Sequence, residues 1–193
     1  MIIVITGPTA VGKTKLSVEL AKKVNGEIIN ADSTQIFKGL DIATAKVTEE
    51  EKENIPHHLL DIKDINDVYT VFDYQKDCRN KIKEILSKNK TPILVGGTGL
   101  YIKAALYDYK FNKETIKNDY SDYSNEKLYE KLLKINPETS IHKNNRKRIE
   151  RELDKYSNNS FNQKKTDKLL YDTTFIGLTT DREKLYDRIN KRV

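Results

Sequence analysis

The sequence is poor in several of the residues that usually signal a compartment or a metal site. It has no tryptophan, one methionine, four prolines and, in Cys78, a single cysteine. One cysteine can build neither an internal disulfide nor a thiolate zinc centre, so the expected home is a reducing cytoplasm. No apolar run approaches the length needed to cross a bilayer, and the opening stretch Met1–Thr6 stops at Pro8, too short for a secretion signal. These absences exclude a disulfide scaffold and point to a soluble protein without membrane partners, expected to be a monomer. Internal repeats and long low-complexity tracts are also missing. The 193 residues suffice for one domain, or one domain carrying an insertion.

Charge is less decisive. Lys plus Arg exceed Asp plus Glu by 35 to 29, a formal net charge of +6 with a pI near 9.1. That balance suits a polyanionic partner, and it equally suits a protein from a lysine-rich proteome.

The stretch GPTAVGKT, Gly7 to Thr14, fits the phosphate-loop pattern G-x-x-x-x-G-K-[ST]. It follows an apolar run, residues 2–6, that reads as a buried strand. It precedes Leu16, Leu20 and Val24, which recur at helical spacing, and Gly26 is expected to end that helix. Strand, loop and helix is the order such a loop requires. Gly7 and Gly12 let the backbone between them curl so that several N–H groups point inward, Lys13 supplies a mobile positive charge, and Thr14 can ligate magnesium.

EIINA (27–31) reads as a second buried strand with Asp32 at its C-terminal end, the end that faces ligands in open parallel sheets. A carboxylate there can act as a base, bind magnesium, or simply cap a turn. An amphipathic helix is expected over 71–88, with Phe72, Tyr74, Ile82, Ile85 and Leu86 as its apolar members. TPILVGGTGLY (91–101) then reads as strand, tight glycine turn and helix, a second place where bare N–H groups attract anions. Residues 173–180 read as a further core strand and 181–193 as a helix. From about Tyr109 to Lys168 the composition turns to Lys, Asn, Asp, Tyr and Ser, with helical patterns at 125–135 and 145–156. The fold class is therefore α/β, a phosphate-loop NTPase-like parallel sheet flanked by helices, with core segments 1–108 and 170–193 and a helical insertion over 109–169. His57 and His58 invite a metal reading, but only His142 remains to complete a shell. The basic run Lys143, Arg146, Lys147, Arg148 and Arg151 fits a solvated helix face or a phosphate backbone.

Taken in order, GPTAVGKT, ADSTQIFKGLDIATAK, PHHLLDI, TPILVGGTGLYIKA, NNRKRIERELDKY and DREKLYDRINKRV resemble the tRNA dimethylallyltransferases (tRNA isopentenyltransferases), as a short or C-terminally truncated member. The resemblance implies transfer of a dimethylallyl group from dimethylallyl diphosphate to N6 of adenosine 37, next to the anticodon of tRNA, assisted by Mg2+. It implies Asp32 as general base, with Lys13 and Thr98 as further catalytic contacts. The diphosphate would be held by Gly7, Pro8, Thr9, Ala10, Val11, Gly12, Lys13, Thr14 and Arg188, with Thr14 on the metal. The tRNA would be met by Asp32, Ser33, Thr34 and Gln35 and by Lys147, Arg148, Ile149, Glu150 and Arg151, the latter on an insertion that grips the anticodon stem-loop. From the loop alone, an ATP-dependent small-molecule or nucleoside kinase stays open. So do a prenyl transferase acting on free nucleotides and a protein that binds tRNA or diphosphate without turnover.

Overall fold

The computed structural model describes residues 1–111, 118–157 and 168–191. The chain divides into two compact units, one made of Met1–Tyr109 with Thr166–Val193, the other of Lys110–Lys165.

The first unit is an α/β sandwich. Its strands are β1 (Ile2–Thr6), β2 (Gly26–Asn30), β3 (His57–His58), β4 (Thr91–Gly96) and β5 (Thr173–Gly177). They form one sheet in the order β3-β2-β4-β1-β5, and every pairing is parallel. Parallel strands need crossovers, which here include α1 (Lys13–Val24) after β1, α4 (Val71–Ser87) before β4 and α5 (Gly99–Leu106) after it. Covering both faces makes the central strands apolar throughout rather than alternating. Ile2, Val4, Ile29 and Leu94 pack on one face with Tyr74, Ile82 and Ile85 of α4 and Ile102 of α5. Ile3, Ile5, Ile28 and Ile93 pack on the other with Val18 and Ala21 of α1. Phe72 and Leu86, expected on the apolar side of α4, are 55% and 38% exposed.

Two local expectations are corrected. Asn25, not Gly26, ends α1: it sits in the left-handed region at φ 51, and its N–H donates to Ala21 O. Gly26 opens β2, where an added Cβ would stand 2.8 Å from Ile93 Cδ1 and 3.0 Å from Thr91 O, so the glycine serves a close strand approach. β5 is an edge strand rather than a core strand, and Phe175 on it is 45% exposed. The helix after it, α8, spans Arg182–Asn190.

The second unit is helical, built on α6 (Asn125–Ile135) and α7 (Arg146–Ser157). Leu128, Leu132, Ile141, Ile149 and Leu153 form its core, with Tyr120, Tyr123, Tyr129 and Tyr156 packed around them. Arg146 ties the unit together, donating to the carbonyls of Tyr120 at 2.7 Å and Tyr123 at 2.8 Å and pairing with Glu150. Parts of the expected insertion, residues 112–117 and 158–167, lie outside the described residues. The remaining short helices, α2 (Asp41–Thr44) and α3 (Glu49–Lys52), belong to the first unit and border its ligand-facing end.

Candidate active site

Thr6 ends β1 and the chain turns immediately into the loop 7–12. Gly7 is at φ 152, and a Cβ there would come 2.4 Å from Leu178 O, so no other residue lets the loop leave β1 beside the β5 backbone. Ala10 at φ 63 and Gly12 at φ 99 curl the chain back toward α1. α1 carries no side-chain cap and no acidic residue in its first turn. The positive end of its dipole therefore faces no acidic residue of its own first turn, and such a terminus attracts anions. The Lys13 ammonium folds over the loop, donating to Gly7 O at 2.9 Å and Pro8 O at 2.7 Å.

Across from the loop stands the end of β2. Ala31 N donates to Val95 O and Ala31 O accepts from Thr98 N, which continues the β2–β4 pairing past the strand. This approach requires Gly96, where a Cβ would lie 2.2 Å from the Ala31 carbonyl carbon and 2.7 Å from Asp32 N. Asp32 Oδ1 accepts from Thr34 N at 3.0 Å and from Thr34 Oγ1 at 2.7 Å, an Asx turn. Ser33 N donates to Thr98 Oγ1 at 3.0 Å, and the Thr98 hydroxyl meets Ser33 Oγ at 3.3 Å.

Between these two edges lies an open cleft of about 470 Å3. The loop contributes Thr9, Ala10, Gly12, Lys13 and Thr14 to its wall, the facing loop Asp32, Gln35 and Thr44, and α8 the side chain of Arg188. Arg188 Nη1 also donates to Ala10 O at 3.3 Å. The structure thus brings the phosphate loop, Asp32, Gln35 and Arg188 to one cleft. Thr98 and Ser33 do not line it; they are bonded to each other beside Asp32.

The loop carrying Gln35 and Thr44 is held from behind by Lys46, whose side chain is 5% exposed. It donates to Phe37 O at 2.9 Å and Asp41 Oδ1 at 2.7 Å, and it pairs with Asp61. Burial opposes its charge, but the hydrogen bonds to Asp41 and Asp61 outweigh burial and hold its pKa above the ordinary lysine value. Gln35 Nε2 donates to Thr44 O across the same loop.

Sequence reasoning missed Lys15, Glu51 and Lys191, which also line the cleft, and Asn30 beneath it. Lys15 stands on the first turn of α1 and could have been read from the loop motif, while Glu51 and Lys191 arrive from distant segments with no local signature. The histidines are structural: His58 Nε2 bonds Glu27 at 2.7 Å and His57 Nδ1 bonds Ile55 O at 2.8 Å. Burial holds His57 below its ordinary pKa, despite the hydrogen bond to Ile55 O that favours its charge. Among the described residues no group of three or more His, Cys, Asp or Glu could hold a metal ion.

In the second unit the expected tRNA-contacting run separates by face. Lys147, Arg148 and Arg151 are exposed, but Ile149 is fully buried in that unit's core, and Glu150 is spent on Arg146. Ile149 is corrected from an RNA contact to a packing residue, because α7 turns every third and fourth position inward.

Fold and loop together define a phosphate-loop NTPase-like α/β protein. A model of the IPP transferase family matches residues 35–193. The chain is 47% identical to a tRNA dimethylallyltransferase of Anoxybacillus flavithermus, over all of this chain and 65% of that protein, and 46% identical to that of Bacillus subtilis, over 100% and 66%. The full-length tRNA isopentenylpyrophosphate transferase of Bacillus halodurans superposes with a TM-score of 0.71 at 40% identity, covering 99% of this chain and 64% of that one. A eukaryotic dimethylallyltransferase solved acting on tRNA superposes with a TM-score of 0.79 at 33% identity, over 99% and 51%. The chain belongs to the IPP transferase family, and it spans about two thirds of the length of the curated relatives it matches.

Proposed function

We propose that the chain carries the catalytic cleft of a tRNA dimethylallyltransferase, which moves a dimethylallyl group from dimethylallyl diphosphate to N6 of adenosine 37 beside the tRNA anticodon. The observation that carries this reading is that one cleft joins a phosphate loop to a carboxylate on the opposite strand end, Lys13 and Asp32 both lining it. A phosphate loop alone serves a kinase equally well. The resemblance of the whole chain to dimethylallyltransferases supports prenyl transfer.

In the step, the bond between C1 of the dimethylallyl group and the bridging diphosphate oxygen breaks, and a bond from N6 to C1 forms. The proton of N6 passes to Asp32, and diphosphate departs into the loop. Charge grows on the departing diphosphate in the transition state, so donors already aimed there lower the barrier more than they tighten the ground state. Lys13, Arg188 and the first-turn N–H groups of α1 are those donors. Lys13 bonds loop carbonyls at 2.7 and 2.9 Å and would exchange these partners for phosphate oxygens. Thr34 occupies one oxygen of Asp32 with two hydrogen bonds, which orients the carboxylate as a base.

Mg2+ fits the donor set. Thr14 offers a single hydroxyl on the cleft without a carboxylate cage, and a Mg2+ bound chiefly by phosphate oxygens and waters needs no more. When bound on Thr14 it would neutralise diphosphate charge. The exposed cations Lys147, Arg148 and Arg151 are the proposed tRNA contacts of the second unit, and a flipped base is the form in which the cleft would receive its adenosine.

The test is incubation of the protein with Mg2+, dimethylallyl diphosphate and an anticodon stem-loop, followed by nucleoside analysis. Dimethylallyladenosine is expected, and Asp32→Ala is expected to lower the rate by about a hundred- to ten-thousand-fold. Full rate in Asp32→Ala removes the base assignment. Transfer of labelled γ-phosphate from ATP to an acceptor, with no prenyl product, makes the protein a kinase.

A further inference from the structure

Asp32 lies two residues beyond Asn30, just past the end of a strand, where a backbone is usually free to fray. Here it is fastened from within. Asn30 is 4% exposed. Its Oδ1 accepts from Asp32 N at 2.9 Å, and its Nδ2 donates to Asp32 O at 2.9 Å and to Leu59 O at 3.0 Å. Its own carbonyl accepts from the hydroxyl of Tyr74 at 3.0 Å, and Tyr74 is fully buried against Tyr101 with ring centroids 3.9 Å apart. The partners fix the orientation of the amide: two carbonyls demand Nδ2 and one N–H demands Oδ1.

We propose that Asn30 is a positioning residue of the prenyl transfer, holding the backbone of Asp32 at both its N–H and its C=O so that the carboxylate stays aimed into the cleft. This rests on the reading of Asp32 as the base. A buried asparagine can be merely a satisfied polar group, but two of the three hydrogen bonds of this side chain fall on the one residue proposed to take the proton. Chemistry leaves few substitutes. Aspartate can accept from Asp32 N but cannot donate to Asp32 O or Leu59 O, and an alanine removes the partner of all three groups, the bond to Leu59 O being a buried one.

Asn30→Asp and Asn30→Ala are compared with the unchanged protein in the same stem-loop assay. A base displaced by about an ångström costs on the order of a hundredfold in rate, so kcat is expected to fall by about that factor in both variants. The phosphate loop is untouched, so KM for the prenyl donor and calorimetric affinity for diphosphate are expected to stay within about twofold. An unchanged kcat, or a loss confined to KM, overturns the proposal. Asn30→Asp preserves side-chain volume and one hydrogen bond, and so keeps the test valid if Asn30→Ala does not fold. If the unchanged protein transfers no prenyl group, the proposed function fails separately, and positioning is then read from backbone amide exchange. The Asp32 amide is expected to exchange about tenfold faster or more in Asn30→Ala, which removes its acceptor, and the Thr34 amide to exchange faster in both variants, while Val4 and Leu94 in the sheet keep their protection. Unaltered exchange at Asp32 in Asn30→Ala, or at Thr34 in Asn30→Asp, overturns the proposal.

Discussion

Asp32 faces the phosphate loop because two glycines permit two close backbone approaches that no side chain could share. At Gly7 a Cβ would meet Leu178 O, and at Gly96 it would meet Ala31 and Asp32. Gly96 is the sharper case, since its obstruction is backbone at 2.2 Å and cannot rotate away. Gly96→Ala is expected to push the end of β2 off β4, costing about 1–3 kcal/mol and lowering prenyl transfer while diphosphate binding persists. Chemical denaturation and calorimetry on one preparation check both halves. Of the residue-level chemistry, the loop was legible because GPTAVGKT imposes its own conformation. Asn30 was not, because its partners, Leu59 among them, are brought together only by folding. Cys78, whose sequence position alone says nothing of its reactivity, is buried, and burial pushes it up to about 12, which makes it a packing residue rather than a nucleophile.

Among the elements, those with strong periodicity were readable: α6 spans Asn125–Ile135, as its pattern predicts, and Leu16, Leu20 and Val24 all fall within α1. Ends and edges were not. Asn25 replaces Gly26 as the cap of α1 because Gly26 is claimed by strand packing, and β5 proves to be an edge because strand order depends on long-range pairing. On α7 a charge-rich run concealed its apolar stripe, although Ile149 and Leu153 at a spacing of four carry the signal. The two kinds of residue on α7 should separate in experiment. Ile149→Ala is expected to destabilise the second unit by about 2–5 kcal/mol. Replacing Lys147, Arg148 and Arg151 together by Gln is expected to leave stability nearly unchanged and to flatten the salt dependence of tRNA binding, by about 0.7–0.9 in log–log slope for each phosphate no longer neutralised. Denaturant melts and filter binding across a salt series check this, and an unchanged slope removes these residues from the RNA surface.

At the scale of the whole molecule, the sheet joins the cleft at one end to a buried charge cluster near the other. Glu27, the second residue of β2, has a side chain only 4% exposed and accepts from Lys90 at 2.8 Å while bonding His58 at 2.7 Å. Burial alone would raise its pKa, but the hydrogen bonds and charges of Lys90 and His58 prevail and hold it below the ordinary value of 4.5. A carboxyl depressed on folding contributes stability that is fully present above its unfolded pKa and is lost as the pH falls through the lower folded value. Stability is therefore expected to decline as pH drops below the ordinary glutamate range, and Glu27→Gln to flatten that acid limb, as urea midpoints from neutral pH downward would show. Lys46 has the opposite sign, its raised pKa stabilising the cleft loop until pH climbs past the ordinary lysine range.

The central claim is that the phosphate loop holds a leaving group, so that the bond broken lies between carbon and oxygen. A donor labelled with heavy oxygen at the position bridging the dimethylallyl carbon and the diphosphate tests this most directly, by mass spectrometry of both products with an anticodon stem-loop as acceptor. The label is expected in the released diphosphate, with the dimethylallyl increment on the adenosine. Label retained on the organic fragment, or an RNA that gains a phosphoryl group instead, would contradict it.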